Sequence, residues 1–180
     1  VDTQCIEEAI TINKAQKAVV IGGGLIGISA TEALVKRGLK VTIVELKDWI
    51  LNLILDQEAA KIVEKVMQKE GVFILTGRTV QRILGRKDND DTVGGVVLDN
   101  GSVIECDIVV VAVGVIPRTE LATQTDLKVN RGILVNRFMQ TSVPNVYACG
   151  DAAEAYDFIY KTNRVLALWP VARIGGRIAG

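Results

Sequence analysis

One stretch, Val19-Val20-Ile21-Gly22-Gly23-Gly24-Leu25-Ile26-Gly27, limits what this chain can fold into more than any other. A buried-strand pattern runs straight into a GxGxxG glycine triplet, and a helical pattern begins directly behind it. A strand that turns this sharply into a helix opens the first crossover of a parallel α/β sheet. In that setting Gly22 supplies the tight turn, Gly24 leaves no side chain in the way of an approaching diphosphate, and Gly27 lets the helix pack on the strand. Leu25 and Ile26 offer main-chain amides at the helix start, where unsatisfied N–H groups and the positive end of the helix dipole favour an anion. Glu45 lies eighteen residues beyond Gly27, at the end of a second strand pattern from Lys40 to Glu45. A carboxylate there accepts hydrogen bonds from both hydroxyls of an adenosine ribose and repels a 2′-phosphate. The arrangement predicts a dinucleotide site that prefers NAD(H) over NADP(H), with Lys47 close enough to soften the preference.

Composition narrows the class of chemistry. At 180 residues and 49% apolar content, the chain suits one domain, or one domain and a piece of another, with a sizeable core. Basic and acidic residues balance at 21 each, so nothing marks a nucleic-acid surface or an anionic membrane as partner. The longest apolar run, Ile108 to Ile116, falls short of the roughly 20 residues a membrane helix requires. The N-terminal residues lack the cationic and apolar segments of a secretory leader. Cys5, Cys106 and Cys149 form no CxxC pair, and all three read as packing residues with reduced thiols, which predicts a cytoplasmic protein. Histidine is absent, which removes the commonest general acid–base group and any histidine-based metal site. No residue is therefore assigned as acid, base, nucleophile or metal ligand, and catalysis has to come from a bound cofactor.

Periodicity supplies the remaining elements. Residues 1–16 read as an arriving helix and polar linker, with Cys5, Ile6, Ala9 and Ile10 at helical spacing. Lys17 to Ile21 is the first strand, and the helix from Leu25 to Arg37 ends on Lys36, Arg37 and Gly38. Asp56 is the expected N-cap of a second helix that carries Glu58 in its first turn, buries Ala59, Ile62, Val63 and Val66, and stops at Gly71. Val72 to Leu75 is a third strand. Between Thr79 and Glu105 short strands predict a β-meander, with Asn100-Gly101 suited to a type I′ hairpin turn. The polar run Lys87 to Asp91 reads as a solvated loop. Ile108 to Val113 is continuous apolar sequence, as expected of a parallel strand covered on both faces. The fold class is α/β: a doubly wound, Rossmann-like parallel sheet with an antiparallel β-meander, spanning residues 17–115 and followed by a further segment at 116–180.

A second constellation is Val143-Pro144-Asn145-Val146-Tyr147-Ala148-Cys149-Gly150-Asp151. A strand running into Gly150 and Asp151 at the start of an apparent helix sets a carboxylate beside free N–H groups, which suits a polyol chain and a phosphate. With Gly22 to Gly27, Glu45, Ala112-Val113-Gly114 followed by Pro117, and Thr141 through Asp151, the chain from about Lys17 to Gly180 resembles the FAD-dependent pyridine nucleotide-disulfide oxidoreductases. The similarity is strongest to the branch of NADH oxidases, NADH-dependent rubredoxin and nitrite reductases, and coenzyme A disulfide reductases. It implies that the glycine triplet and Glu45 bind NAD(H), and that Val113 and Gly114 pass beside the nucleotide as the chain returns to an FAD-binding domain at 116–180. It also implies that Asp151, with Gly150, meets the ribityl chain of FAD, and that Leu168-Trp169-Pro170-Val171-Ala172 lies near the flavin ring.

Three departures from the family pattern stand out. The first GxGxxG, for the ADP part of FAD, is missing, as is the upstream region holding the redox-active cysteine. Ser29 stands where many members carry a glutamate near the nicotinamide. The resemblance thus implies the NADH-binding portion of an oxidoreductase that passes hydride from NADH to FAD and on to an unidentified acceptor, with an electron-acceptor protein as partner. This portion alone is expected to be inactive. Apolar surface in residues 116–180 predicts a homo-oligomer. A non-catalytic NAD-sensing regulatory domain is the alternative; it leaves Gly114 and the Thr141 to Asp151 segment without a purpose. Arg173 and Arg177 are expected on a solvated helix face.

Overall fold

The computed structural model describes residues 2–86 and 92–180, which form two compact units meeting in sequence at Gly114 and Val115. The solvated loop expected at Lys87 to Asp91 lies outside the described residues.

The first unit is built on β1 (Lys17–Ile21), β2 (Lys40–Val44), β3 (Phe73–Leu75) and β7 (Ile108–Val111), which form a parallel sheet in the order β3-β2-β1-β7. The chain moves outward from β1 to β3 and then returns to the other side of β1, so the order reverses between β1 and β7. In open α/β sheets such a reversal leaves a crevice at the carboxyl ends of the two strands. Strand alternation divides the side chains between two cores. Ala18, Val20, Val41, Ile43 and Ile108 face the helices α1 (Asp2–Thr11), α2 (Leu25–Lys36) and α3 (Gln57–Lys69), meeting Ile6, Ala9 and Ile10 of α1, Leu34 of α2 and Met67 of α3. On the other side Val19, Val44, Leu75 and Val109 pack against a meander of β4 (Val80–Gly85), β5 (Val93–Leu98) and β6 (Val103–Glu105), chiefly through Val96, Leu98 and Ile104. Both faces are apolar because both are covered, the helices on one and the meander on the other. A fully buried side chain such as Ile43 contributes roughly 1.5–3 kcal/mol.

Local chemistry sets the helix ends. Asp56 caps α3 by accepting the Ala59 N–H at 2.9 Å. Gly38 and Gly71 take positive φ, and paired main-chain bonds close each helix behind them: Gly38 to Val35 with Leu39 to Leu34, and Gly71 to Gln68 with Val72 to Met67.

Two expectations need correction here. Ile62 and Val66 of α3 are 67% and 57% exposed, whereas Ala60 is fully buried and Val63 and Met67 are partly covered. α3 packs chiefly against the edge strand β3, and the side it covers is the neighbouring i, i+3, i+7 stripe instead. The hairpin at Asn100-Gly101 is not type I′, since Gly101 has positive φ and Asn100 does not. A four-residue loop forms instead, in which Gly101 N–H donates to Leu98 O and the Asn100 side-chain oxygen accepts from the N–H and hydroxyl of Ser102.

The second unit carries a small sheet of β8 (Ile133–Leu134), β9 (Ala153–Asp157) and β10 (Thr162–Val165) in the order β10-β9-β8, with the short α4 (Glu120–Thr123) and the terminal α5 (Trp169–Ala179). Val143 to Cys149 forms only a single bridge, from Tyr147 to Gln140, instead of the expected strand. Asp151 lies in a three-residue 3-10 turn, Gly150–Ala152, that leads into β9 and not into a helix. Pairing with β8 draws the chain out at this point. Buried Glu154 fixes the register by accepting Asn130 Nδ2–H at 3.0 Å and the Gly132 N–H at 2.9 Å. Helix formation is deferred to α5, which starts with Pro170 in its first turn. Cys106 is buried as expected, but Cys5 and Cys149 are exposed.

Candidate functional site

At the end of β1 three glycines differ in what the chain itself demands of them. Gly22 has a φ of +107°, and a β-carbon there would overlap the carbonyl oxygen of Ala112 at the end of β7. A β-carbon on Gly27 would overlap the carbonyl oxygen of Gly22, so helix and strand touch through bare main chain. Gly24 is different. Its φ is −79°, which any residue adopts, and nothing lies within 4 Å of where its β-carbon would stand. The chain's own packing gives Gly22 and Gly27 their reason to be glycine; for Gly24 it leaves free space at the N-cap of a helix. Open main chain of this kind is what an approaching diphosphate would require.

Gly24 is the N-cap of α2 and makes no side-chain cap, and Leu25 and Ile26 follow as exposed residues of the first turn. The first amides of a helix have no carbonyl of their own helix to meet, so this end presents N–H groups and the positive end of the dipole. On the β7 side, Ala112 N–H donates to Ile21 O at 2.8 Å, and exposed Val113 and Gly114 (φ +118°) carry the chain away from the sheet beside Gly22.

Glu45 follows β2 directly and is 8% exposed. Its Oε2 accepts the Gly23 N–H at 2.6 Å and its Oε1 accepts the Lys47 N–H at 2.8 Å. Each carboxylate oxygen has a further lone pair, so the group retains capacity to accept from sugar hydroxyls. The structure thus brings Gly22, Gly24, Leu25, Ile26, Gly27, Glu45, Val113 and Gly114 to the carboxyl ends of β1, β2 and β7. Reading the sequence missed Gly23, which is buried, and also Ile50 and Leu51, which cover it. Leu51 N–H donates to Gly23 O at 2.8 Å, and Ile50 Cγ2 lies 2.8 Å from where a Gly23 β-carbon would stand. The GxGxxG pattern leaves the Gly23 position open, and Ile50 carries no motif.

Gly150 and Asp151 lie in the second unit. Gly150 has a φ of +75°, and a β-carbon there would come within 3.8 Å of Ala172 Cβ on α5. Asp151 is exposed. A single 3-10 turn offers no helix N-terminus, so only the carboxylate and the left-handed glycine remain of the arrangement expected there. Trp169 is exposed, with the Arg173 guanidinium 5.8 Å from its ring. Arg173 and Arg177 are both exposed, on the solvated face expected of them. Among the described residues no helix is long and apolar enough to cross a membrane.

The chain is similar to known proteins along nearly its whole length. The sequence model of the family described as pyridine nucleotide-disulphide oxidoreductase matches residues 2–176. An NADH oxidase of Methanocaldococcus jannaschii is 36% identical over 180 residues, covering 99% of this chain and 39% of the oxidase. A nitrite reductase [NAD(P)H] of Bacillus subtilis is 38% identical over 159 residues, covering 84% of this chain and 19% of the reductase. Among solved structures, an NAD-dependent persulfide reductase from A. fulgidus superposes with a TM-score of 0.91 at 35% identity, covering 98% of this chain and 32% of that one. The chain thus spans about two-fifths or less of the length of these relatives. With the glycine loop at the strand-order reversal and this similarity along nearly its whole length, the chain belongs to the pyridine nucleotide-disulphide oxidoreductase family.

Proposed function

We propose that this chain is the NADH-binding portion of a flavin-dependent oxidoreductase that passes hydride from NADH to FAD and on to an acceptor. The open position of Gly24, between two glycines that the chain's own packing requires, carries the reading. A ligand's diphosphate would approach Gly24 and the amides of Leu25 and Ile26. Glu45 would accept from the adenosine ribose, and its negative charge disfavours a 2′-phosphate, which selects NADH over NADPH. Gly22 and Gly27 hold strand and helix in register, and Val113 and Gly114 border the site.

FAD is proposed for the whole protein, with exposed Asp151 beside Gly150 offered to the ribityl hydroxyls. When bound, the flavin supplies the two-electron acceptor for the nicotinamide's hydride. A solved relative of 29% identity is described as a FAD-dependent pyridine nucleotide-disulphide oxidoreductase. An electron-carrier protein is the proposed acceptor. A rubredoxin-NAD(+) reductase is 34% identical to this chain, and a putidaredoxin reductase solved as a covalent complex with putidaredoxin is 30% identical. Cytoplasmic location and self-association belong to the same proposal. The three free cysteines suit the first, and exposed Ile116, Leu121 and Phe158 of the second unit suit the second.

Titration of the chain with NADH and NADPH side by side, with flavin absorbance recorded, tests this reading. The expected result is NADH binding at least about tenfold tighter than NADPH, a difference of about 1.4 kcal/mol. Absence of NADH uptake overturns it.

A further inference from the structure

We propose that Glu45 is a positioning residue for the glycine loop, acting through the Gly23 amide, and that Ile50 and Leu51 close the same clamp from the other side. This deepens the role given to Glu45 above and rests on the dinucleotide reading of the site.

Both main-chain polar groups of Gly23 are taken up by the segment that follows β2. Its N–H goes to Glu45 Oε2 at 2.6 Å, and its carbonyl oxygen accepts Leu51 N–H at 2.8 Å. The two peptide planes that meet at Gly23 are therefore both fixed. In a trans peptide the N–H points opposite to the carbonyl of the same plane, so anchoring Gly23 O on Leu51 turns the Gly24 N–H away from that segment. The orientation of the first amide of the candidate diphosphate site is thus set by Leu51, and that of the preceding plane by Glu45.

The residues that grip Gly23 are themselves packed in place. Ile50 is fully buried against Gly23, and Leu51 is buried while holding a φ of +55°, a left-handed conformation that a leucine adopts only where its surroundings impose it. Glu45 Oε1 ties the Lys47 N–H, closing the turn that begins this segment. Tightness at Gly23 follows from the same packing, because a β-carbon would stand 3.2 Å from Glu45 Oε2 as well as 2.8 Å from Ile50 Cγ2. A carboxylate that only selected the sugar would have no need of the Gly23 amide. Here it holds the loop before any nucleotide arrives, so altering Glu45 changes the diphosphate site together with the ribose site.

The test combines site-resolved amide hydrogen exchange at Gly23 and Lys47 with NADH and NADPH titration, on the full chain and on Glu45→Gln, Glu45→Asp, Ile50→Ala and Ile50→Val. The clamp predicts a protected Gly23 amide in the parent chain. In Glu45→Gln one carboxylate oxygen becomes an NH2 that cannot accept, so the Gly23 or the Lys47 amide exchanges at least about tenfold faster, and NADH affinity falls. Ile50→Ala, which removes no charge, lowers affinity for both nucleotides by the same factor, whereas Ile50→Val keeps the contact with Gly23 and behaves as the parent. If Glu45→Gln does not fold, Glu45→Asp decides the matter: it retains the charge that repels a 2′-phosphate but draws the oxygens back, so Gly23 loses protection while the NADH-to-NADPH ratio is kept. An unchanged Gly23 amide in both Glu45 variants overturns the clamp. So does a gain in NADPH affinity without faster exchange, which makes Glu45 a ribose selector alone. A parent chain with a protected Gly23 amide that binds no NADH overturns the nucleotide reading and leaves the clamp standing, and one that binds NADH with a freely exchanging Gly23 does the reverse.

Discussion

A β-carbon on Gly22 would overlap the carbonyl oxygen of Ala112, so the ends of β1 and β7 meet at a point where only a hydrogen fits. Gly22 also has a φ of +107°. Gly22→Ala therefore adds backbone strain of about 1–3 kcal/mol to the displacement of a parallel strand. Urea unfolding should show a large loss of stability, and an unchanged midpoint would contradict the packing described.

Gly24→Ala should behave oppositely. Its backbone is unstrained and its surroundings are open, so stability should stay within about 1 kcal/mol of the parent by thermal unfolding. NADH affinity should nevertheless fall at least about tenfold by calorimetric titration. Unimpaired binding would remove the reason for placing the diphosphate at this loop.

Asp107 ties the start of β1 to the meander. Partial burial by itself would raise its carboxyl, but the N–H groups of Gln16 and Lys17 and the Arg86 guanidinium outweigh that and hold it below its ordinary 3.8. A depressed value in the folded chain means stability that is fully present above the ordinary value and lost as pH falls through the folded one. Asp107→Ala should cost about 1–3 kcal/mol at neutral pH. The gap between variant and parent should close in strongly acidic solution, and a gap that persists there would assign the effect to packing instead of charge.

Thiol chemistry should separate the three cysteines. Burial, reinforced by the adjacent Asp107 charge, pushes the Cys106 thiol up to about 11, while Cys5 and Cys149 are exposed. A thiol reagent at neutral pH should titrate two groups in the native chain and the third only after unfolding. Prompt reaction of all three would show that the core around Cys106 opens readily.

Much of the candidate site is legible in the sequence because its parts are local. The glycine spacing, the apolar strand before it and the carboxylate ending β2 are properties of short segments, and each is found where its chemistry places it. Helix ends are legible for the same reason, since Asp56, Gly38 and Gly71 act within one turn of their own positions. At Asp151 a local pattern competed with a distant partner: the pairing of β9 with β8 drew the chain into a strand where the sequence suggested a helix.

By itself, then, the sequence determined a parallel sheet centred on β1, a loop of bare main chain at its carboxyl end and the acidic residue beside it. Periodicity and glycine stereochemistry act over a few residues, which is why these could be read without coordinates. Only the tertiary structure decided that α3 turns Ile62 and Val66 outward, that Gly22 is held against Ala112, and that Gly23 is gripped between Glu45 and Leu51. Each of these depends on which distant segments meet and at what rotation. An amphipathic stripe fixes that a helix has a covered side, but the element the helix packs against selects which residues that side contains.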